Sequence, residues 1–172
     1  MTNPRKPLRL NVGFLINSPF GIYREFLFDS ISITSDDGLT ISEIAGSAKV
    51  SRTPQGLFVE GKFHGTIPLE CVRCLCDYVQ TLQWEFAELF AFTSDNVTES
   101  GLLVPDDAHI DLQPLVHDFA LVEIPIKPVC KPECRGLCTE CGQNLNEQDC
   151  GHRPVNDSPF SVLKNLLDSS ED

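Results

Sequence analysis

GLFVEGKFHGTIPLE, Gly56 to Glu70, decides the reading of this chain. Leu57, Val59, Phe63, Ile67 and Leu69 all fall on one parity, with Gly61 and Gly65 filling the same register. That period of two is the mark of a strand with one buried face. LTISEIAGSAKVSRT (Leu39–Thr53) before it and DYVQTLQWEFAELFAF (Asp77–Phe92) after it follow the same rule. Turn-forming residues separate the three runs at Ser51–Gly56 and Cys71–Asp77. Short connections between one-faced strands predict an antiparallel meander. Trp84 falls on the buried alternation and reads as core.

Outward from the meander the patterns change. LRLNVGFLI (Leu8–Ile16) reads as a further strand, and IYREFLFD (Ile22–Asp29) as a short strand or a helical turn. Thr93–His109 is acidic and poor in bulky residues, hence an exposed loop. Leu112, Leu115, Val116, Phe119 and Val122 have helical spacing, Asp111 can cap them and Pro125 ends them, which predicts a helix near 111–123. A second helix is expected over SPFSVLKNLL, with Asp157 or Ser158 as cap, Pro159 in the first turn, and Phe160, Leu163, Leu166 and Leu167 on one face. The fold class is therefore α+β: an antiparallel β-meander with one or two helices and a C-terminal cysteine motif like a zinc knuckle. The expected divisions are a β-rich core over 1–126, a cysteine-rich metal-binding segment over 127–155, and a helix and tail over 156–172.

Charge narrows the partners. The net charge is −12. Residues 76–126 contain ten Asp or Glu and no Lys or Arg. Such a surface repels phosphate, so tight RNA binding by the whole surface is disfavoured and a basic protein fits better. The stretch Asp95 to Glu123 is the candidate face. No run reaches the roughly 18 apolar residues of a membrane span. The basic start around Arg5, Lys6 and Arg9 only mimics a signal peptide, because Asn11 breaks the apolar run. A cytoplasmic location follows as the default, and thiols clustered there imply metal or redox chemistry before disulfides.

The thiols are indeed clustered. Cys130, Cys134, Cys138, Cys141 and Cys150 fall within 21 residues, with His152 just behind. Polar, proline-containing sequence surrounds them and offers little apolar material to bury free cysteines. A structural zinc needs four ligands held tetrahedrally, and CTEC (Cys138–Cys141) followed by Gly142 has the spacing that aims two sulfurs at one ion. Cys138 and Cys141 are the foremost ligands; Cys130, Cys134, Cys150 and His152 compete for the other two places. Such an ion supplies folding energy of about 10 kcal/mol or more at neutral pH, which this tail cannot obtain by burial. An iron–sulfur cluster is the alternative occupant. A thioredoxin-like redox pair would need a preceding strand and a following helix, whereas Pro128 and Pro132 precede and GQNLN follows. CVRCLC (Cys71–Cys76) is a second group, with Cys71 and Cys74 at knuckle spacing as a candidate second site. Arg73 between them is either an anion ligand or an ordinary surface arginine. His64, His109 and His117 are isolated, and no P-loop, GxGxxG, GxSxG or HExxH is present.

Taken in order, CVRC after a strand, a helix running into IPIKPVC, then CRGLCTECGQNLN, CGH and a terminal SPFSVLKNL resemble the YceD family of bacteria and chloroplasts over residues 10–168. His152 stands where many members have another cysteine. The resemblance implies a role in accumulation of large-subunit ribosomal RNA, through precursor processing or subunit assembly. It implies no catalytic activity. It also implies a large-subunit ribosomal precursor or a small basic ribosomal protein as partner, which agrees with the acidic charge. Direct rRNA contact is left open. Two rival classes stand beside this reading: a thiol oxidoreductase or RNA-processing enzyme, and a direct rRNA binder using Lys127, Lys131, Arg135 and Arg153 around the knuckle.

Overall fold

The computed structural model describes residues 6–34 and 38–152. The helix and tail expected over 156–172 lie outside the described residues, as does Arg153. The described chain forms two compact units. One consists of the described residues of Met1–Glu70 and Asp77–Pro128; the other joins Cys71–Cys76 to the described residues from Val129 onward.

The first unit is built on a four-stranded antiparallel sheet in sequential order: β2 (Tyr23–Thr34), β3 (Thr40–Arg52), β4 (Gly56–Glu70) and β5 (Asp77–Ala91). The meander read from the three alternating runs is β3 to β5. The β4–β5 pairing runs without a register break from Gly56↔Ala91 to Glu70↔Asp77. β2 extends the sheet further than Ile22–Asp29 suggested, because it crosses bulges and resumes pairing at Ile31↔Ile44 and Ile33↔Ile41. Ser30, with φ of 51°, sits at the first of these irregularities.

One face of the sheet is the core. Ile41, Val50, Leu57, Val59 and Ile67 are fully buried there, and Trp84 is 5% exposed. Burying each such aliphatic side chain contributes roughly 1.5–3 kcal/mol. Phe28, Trp84 and Phe86 surround Phe63, with ring centroids 5.5–6.2 Å apart. The helix α2 (Gln113–Val122) adds Val116 and Ala120 to this core, and its Phe119 ring lies 5.4 Å from Phe86. The N-cap position falls to Leu112 and not to Asp111, but Asp111 Oδ1, one residue earlier, accepts the Gln113 amide at the helix start.

The segment Leu8–Ile16 departs from a single strand. Only β1 (Arg9–Asn11) is extended, and the one-turn helix α1 (Gly13–Ile16) follows. Asn11 Oδ1 takes the Gly13 amide and the Val12 amide goes to the Ala108 carbonyl, so the backbone turns at Val12. β1 pairs with β6 (His109–Asp111), a short strand the sequence pattern did not mark, in a separate two-stranded sheet. Leu10, Val12, Leu15 and Ile110 are thereby buried. The acidic Thr93–His109 stretch holds one 3-10 turn, Ser94–Asn96, and is otherwise mostly irregular. No helix among the described residues is long and apolar enough to cross a membrane.

Candidate metal centre

The second unit is organised by thiols. The six ligands that competed for one site in the sequence fall into two groups, and Cys71 and Cys74 complete the first of them. Cys71, Cys74, Cys130 and Cys134 form one group; Cys138, Cys141, Cys150 and His152 form the other. Within each, one ligand atom per residue lies within 4.8 Å of every other.

The first group is the more buried, with Cys71, Cys74 and Cys134 inside and Cys130 half-buried. Local backbone geometry aims the first pair. The Cys71 amide donates to the Cys76 carbonyl, and the Leu75 amide donates to the Cys71 carbonyl, both at 2.9 Å. Leu75 adopts a φ of 56°, so the turn is tight. The Sγ atoms of Cys71 and Cys134 are 3.8 Å apart, and those of Cys74 and Cys130 are 3.6 Å apart. An ion with metal–sulfur bonds of about 2.3 Å, tetrahedrally bound, has sulfur–sulfur edges of about 3.8 Å. The spacing thus fits a tetrahedral ion. A fifth thiol, Cys76, lies 3.0 Å from Cys74 Sγ.

Neighbours hold these ligands in place. Arg73 Nη1 donates to the Cys134 carbonyl at 3.0 Å and the Pro132 carbonyl at 3.4 Å. Arg73 is thus occupied by backbone oxygens in this unit. Its own carbonyl receives the Leu137 amide. Gly136, at φ of 75°, passes so close that a Cβ there would lie 3.0 Å from the Arg73 oxygen. Asn146 Nδ2 donates to Cys134 Sγ at 3.3 Å, while its Oδ1 accepts the Arg135 amide at 2.9 Å. Such contacts to a ligand fix its orientation and stabilise negative charge on sulfur.

The second group is the knuckle. The Cys138 amide donates to the Gln143 carbonyl, and the Gly142 amide donates back to the Cys138 carbonyl. Gly142 turns at φ of 73°, a conformation that glycine adopts without steric cost. Arg135 pairs with Asp149 at 3.3 Å, and Asp149 Oδ1 also accepts the Gly151 amide, which fixes the Cys150–His152 approach. Cys141 and His152 are exposed, so this group sits nearer solvent than the first.

The thiols respond to this geometry in opposite directions. Burial pushes the Cys71 thiol up, but the amides of Cys130, Cys74 and Arg73 outweigh it and bring it down to about 6. The amides of Cys141 and Glu140, joined by the Cys150 thiol, bring Cys138 down to about 7. Cys74 is pushed up, chiefly by its contact with the Cys76 thiol, and burial raises Cys130 to about 11. Without a cation, four adjacent sulfurs cannot all ionise. A bound dication removes that conflict, because thiolate is the form that ligates. Either group could hold a metal ion.

The acidic segment is less uniform than its composition. Asp107 pairs with Arg9 and Asp111 with Lys6. Asp95, Glu99, Asp106, Asp118 and Glu123 are exposed.

Comparison with known proteins follows from this arrangement. The family model described as "Large ribosomal RNA subunit accumulation protein YceD" matches residues 59–167, a stretch that runs from β4 through both ligand groups. An uncharacterized protein of Mycobacterium tuberculosis is 31% identical, over 96% of this chain and 84% of its own. The chain belongs to the YceD family. Among other YceD relatives, the chloroplastic YCED homolog 1 of Zea mays is 39% identical over 36% of this chain and 21% of its own length. YlbN of Bacillus subtilis is 26% identical over 63% of this chain and 64% of its own. No solved structure matches. The YceD family is described by accumulation of large-subunit ribosomal RNA and not by a catalysed reaction.

Proposed function

We propose that this chain is a non-enzymatic factor in large ribosomal subunit biogenesis that supports accumulation or processing of large-subunit rRNA. The observation that carries this reading is the YceD match over residues 59–167, which includes both cysteine groups as well as β5 and most of β4. The cysteine-rich unit is read as two structural zinc sites: Cys71, Cys74, Cys130 and Cys134 in one, Cys138, Cys141, Cys150 and His152 in the other. Sulfur spacings of 3.6 and 3.8 Å favour that ion in the first, and an all-thiolate or three-thiolate–one-imidazole set suits zinc. Both sets are filled by protein ligands, which is the pattern of a structural site and leaves no open position for catalysis.

The partner is read as a basic ribosomal protein or an assembly factor. The support is electrostatic: Asp95, Glu99, Asp106, Asp118 and Glu123 are exposed, and residues 76–126 hold no Lys or Arg. Complementary charge of this kind speeds encounter and selects partners. The place of action is then wherever large subunits are made, the cytoplasm in a bacterial cell. Two measurements test the reading together. Depletion of the protein lowers large-subunit rRNA relative to small-subunit rRNA, and the tagged protein sediments with large-subunit precursors and captures a basic ribosomal protein in a salt-sensitive way. Unchanged rRNA ratios and absence from precursor fractions would overturn it.

A further inference from the structure

Most described cations of the strand-rich unit have a carboxylate beside them: Lys6 with Asp111, Arg9 with Asp107, Lys49 with Glu60, Lys62 with Glu85. Among the described cations of that unit, Arg24, Arg52 and Lys127 have no such partner. The two arginines lie over aromatic rings instead. The Arg24 guanidinium is 5.6 Å from the Phe14 ring centre, and that of Arg52 is 5.2 Å from Phe20 and 4.2 Å from Phe92. Lys49 stands 5.1 Å over Tyr23. Phe14, Phe20 and Tyr23 are 50%, 68% and 62% exposed.

These groups meet for a structural reason. Arg24 faces Val50 across the β2–β3 ladder, and Arg52 is two residues further along β3, so both leave the sheet on the same side. Arg52 Nε donates to the Ile16 carbonyl at the end of α1, while its backbone exchanges hydrogen bonds with Gly21 and Ile22. This ties the loop carrying Phe20 to the end of β3. Tyr23 and Lys49 leave the sheet on the opposite side. β2, the edge strand of the sheet among the described residues, therefore has rings and cations on both sides of one corner.

A protein of net charge −12 has little electrostatic reason to gather unpaired arginines over exposed rings. Nucleobases stack on such rings, and guanidinium groups beside them reach the connecting phosphates. Only unstacked, single-stranded bases can use the rings, which excludes a duplex. We infer that the α1–β2 corner binds single-stranded RNA: Phe14, Phe20 and Tyr23 stack bases, Arg24 meets the backbone together with Lys49, which exchanges Glu60 for a phosphate, and Arg52, its Nη1 buried, holds the Phe20 ring in place. The choice of RNA over DNA rests on the rRNA role proposed above; the stacking and charge argument does not.

The test is fluorescence anisotropy of a labelled oligouridylate about 12 nucleotides long with the purified full chain. Binding is expected to weaken with salt at a log–log slope of about −1.4, for two neutralised phosphates on a single strand. Phe20→Ala and Tyr23→Ala each weaken it about fivefold or more, and Arg24→Gln makes the slope shallower by about 0.7. All three side chains are exposed, and unchanged melting temperatures certify the folds. Lys127→Gln with Lys131→Gln leaves binding intact. Three results would overturn the inference: absence of binding, loss confined to the Lys127/Lys131 variant, or corner variants that bind RNA normally and instead change self-association or capture of a ribosomal protein. If the oligonucleotide fails to bind while depletion still lowers large-subunit rRNA, the corner assignment alone falls. If it binds while rRNA levels do not respond to depletion, the biogenesis reading falls and the corner stands.

Discussion

Replacing Cys71 and Cys74 together by alanine removes half of the first ligand group and none of the second. The native protein should purify with two zinc ions per chain, and the Cys71→Ala/Cys74→Ala variant with one. The size of the effect follows from the ligand count. A structural zinc contributes about 10–16 kcal/mol at neutral pH, so four ligands share it at roughly 2.5–4 kcal/mol each. Losing two weakens the site by about 5–8 kcal/mol, or roughly four to six powers of ten in affinity. Cys130 and Cys134 alone then cannot retain an ion through purification. The second group keeps its four ligands within 4.8 Å and so keeps its ion. Elemental analysis of native and variant protein, paired with a chelator titration that resolves fast and slow release, measures both numbers. Hydrogen exchange over residues 71–76 and 129–137 should rise in the variant, as expected of backbone whose order depends on a bound ion. A native protein with one ion or none, or a variant that still carries two, refutes the division of the cysteines into two sites.

The other predictions are narrower. Asn146→Ala removes the amide donated to Cys134 Sγ and should weaken the first site by about 10–100-fold in competition with a chelator, leaving the second unchanged. Ile67→Ala opens a cavity at a fully buried position and should cost about 2–5 kcal/mol in urea unfolding; a loss under 1 kcal/mol would mean that β4 is not packed as described. Asp107 is held below its ordinary carboxyl value, first by the His109 amide and then by Arg9. A depressed carboxyl stabilises the fold above its unfolded value and loses that contribution as pH falls through the folded one. Asp107→Asn should therefore lower the melting temperature at pH 7, with the gap from the native protein closing below about pH 3.8; a gap that persists in acid would place the stabilisation elsewhere.

The meander and the thiol chemistry were legible because both are local. Alternation places Val59 and Trp84 on one face wherever the sheet ends up, and Cys138–Thr–Glu–Cys141–Gly142 bends two sulfurs together within a single turn. The helix over Gln113–Val122 was legible for the same reason, from its spacing and from Asp111. β6 was not, since three residues of no special pattern became a strand only by meeting Arg9–Asn11 nearly a hundred positions away. Leu8–Ile16 misled as one apolar run, because alternation cannot show where Asn11 and Gly13 turn the chain.

By itself, then, the order of residues determined which segments pleat, which helix forms, and that soft ligands gather near the tail. Tertiary structure alone decided which sulfurs share a centre. Cys74 lies 3.6 Å from Cys130 across 56 positions, and Cys71 lies 3.8 Å from Cys134 across 63. Coordination depends on distances of a few ångströms in space, and spacing along a chain fixes such distances only within a turn.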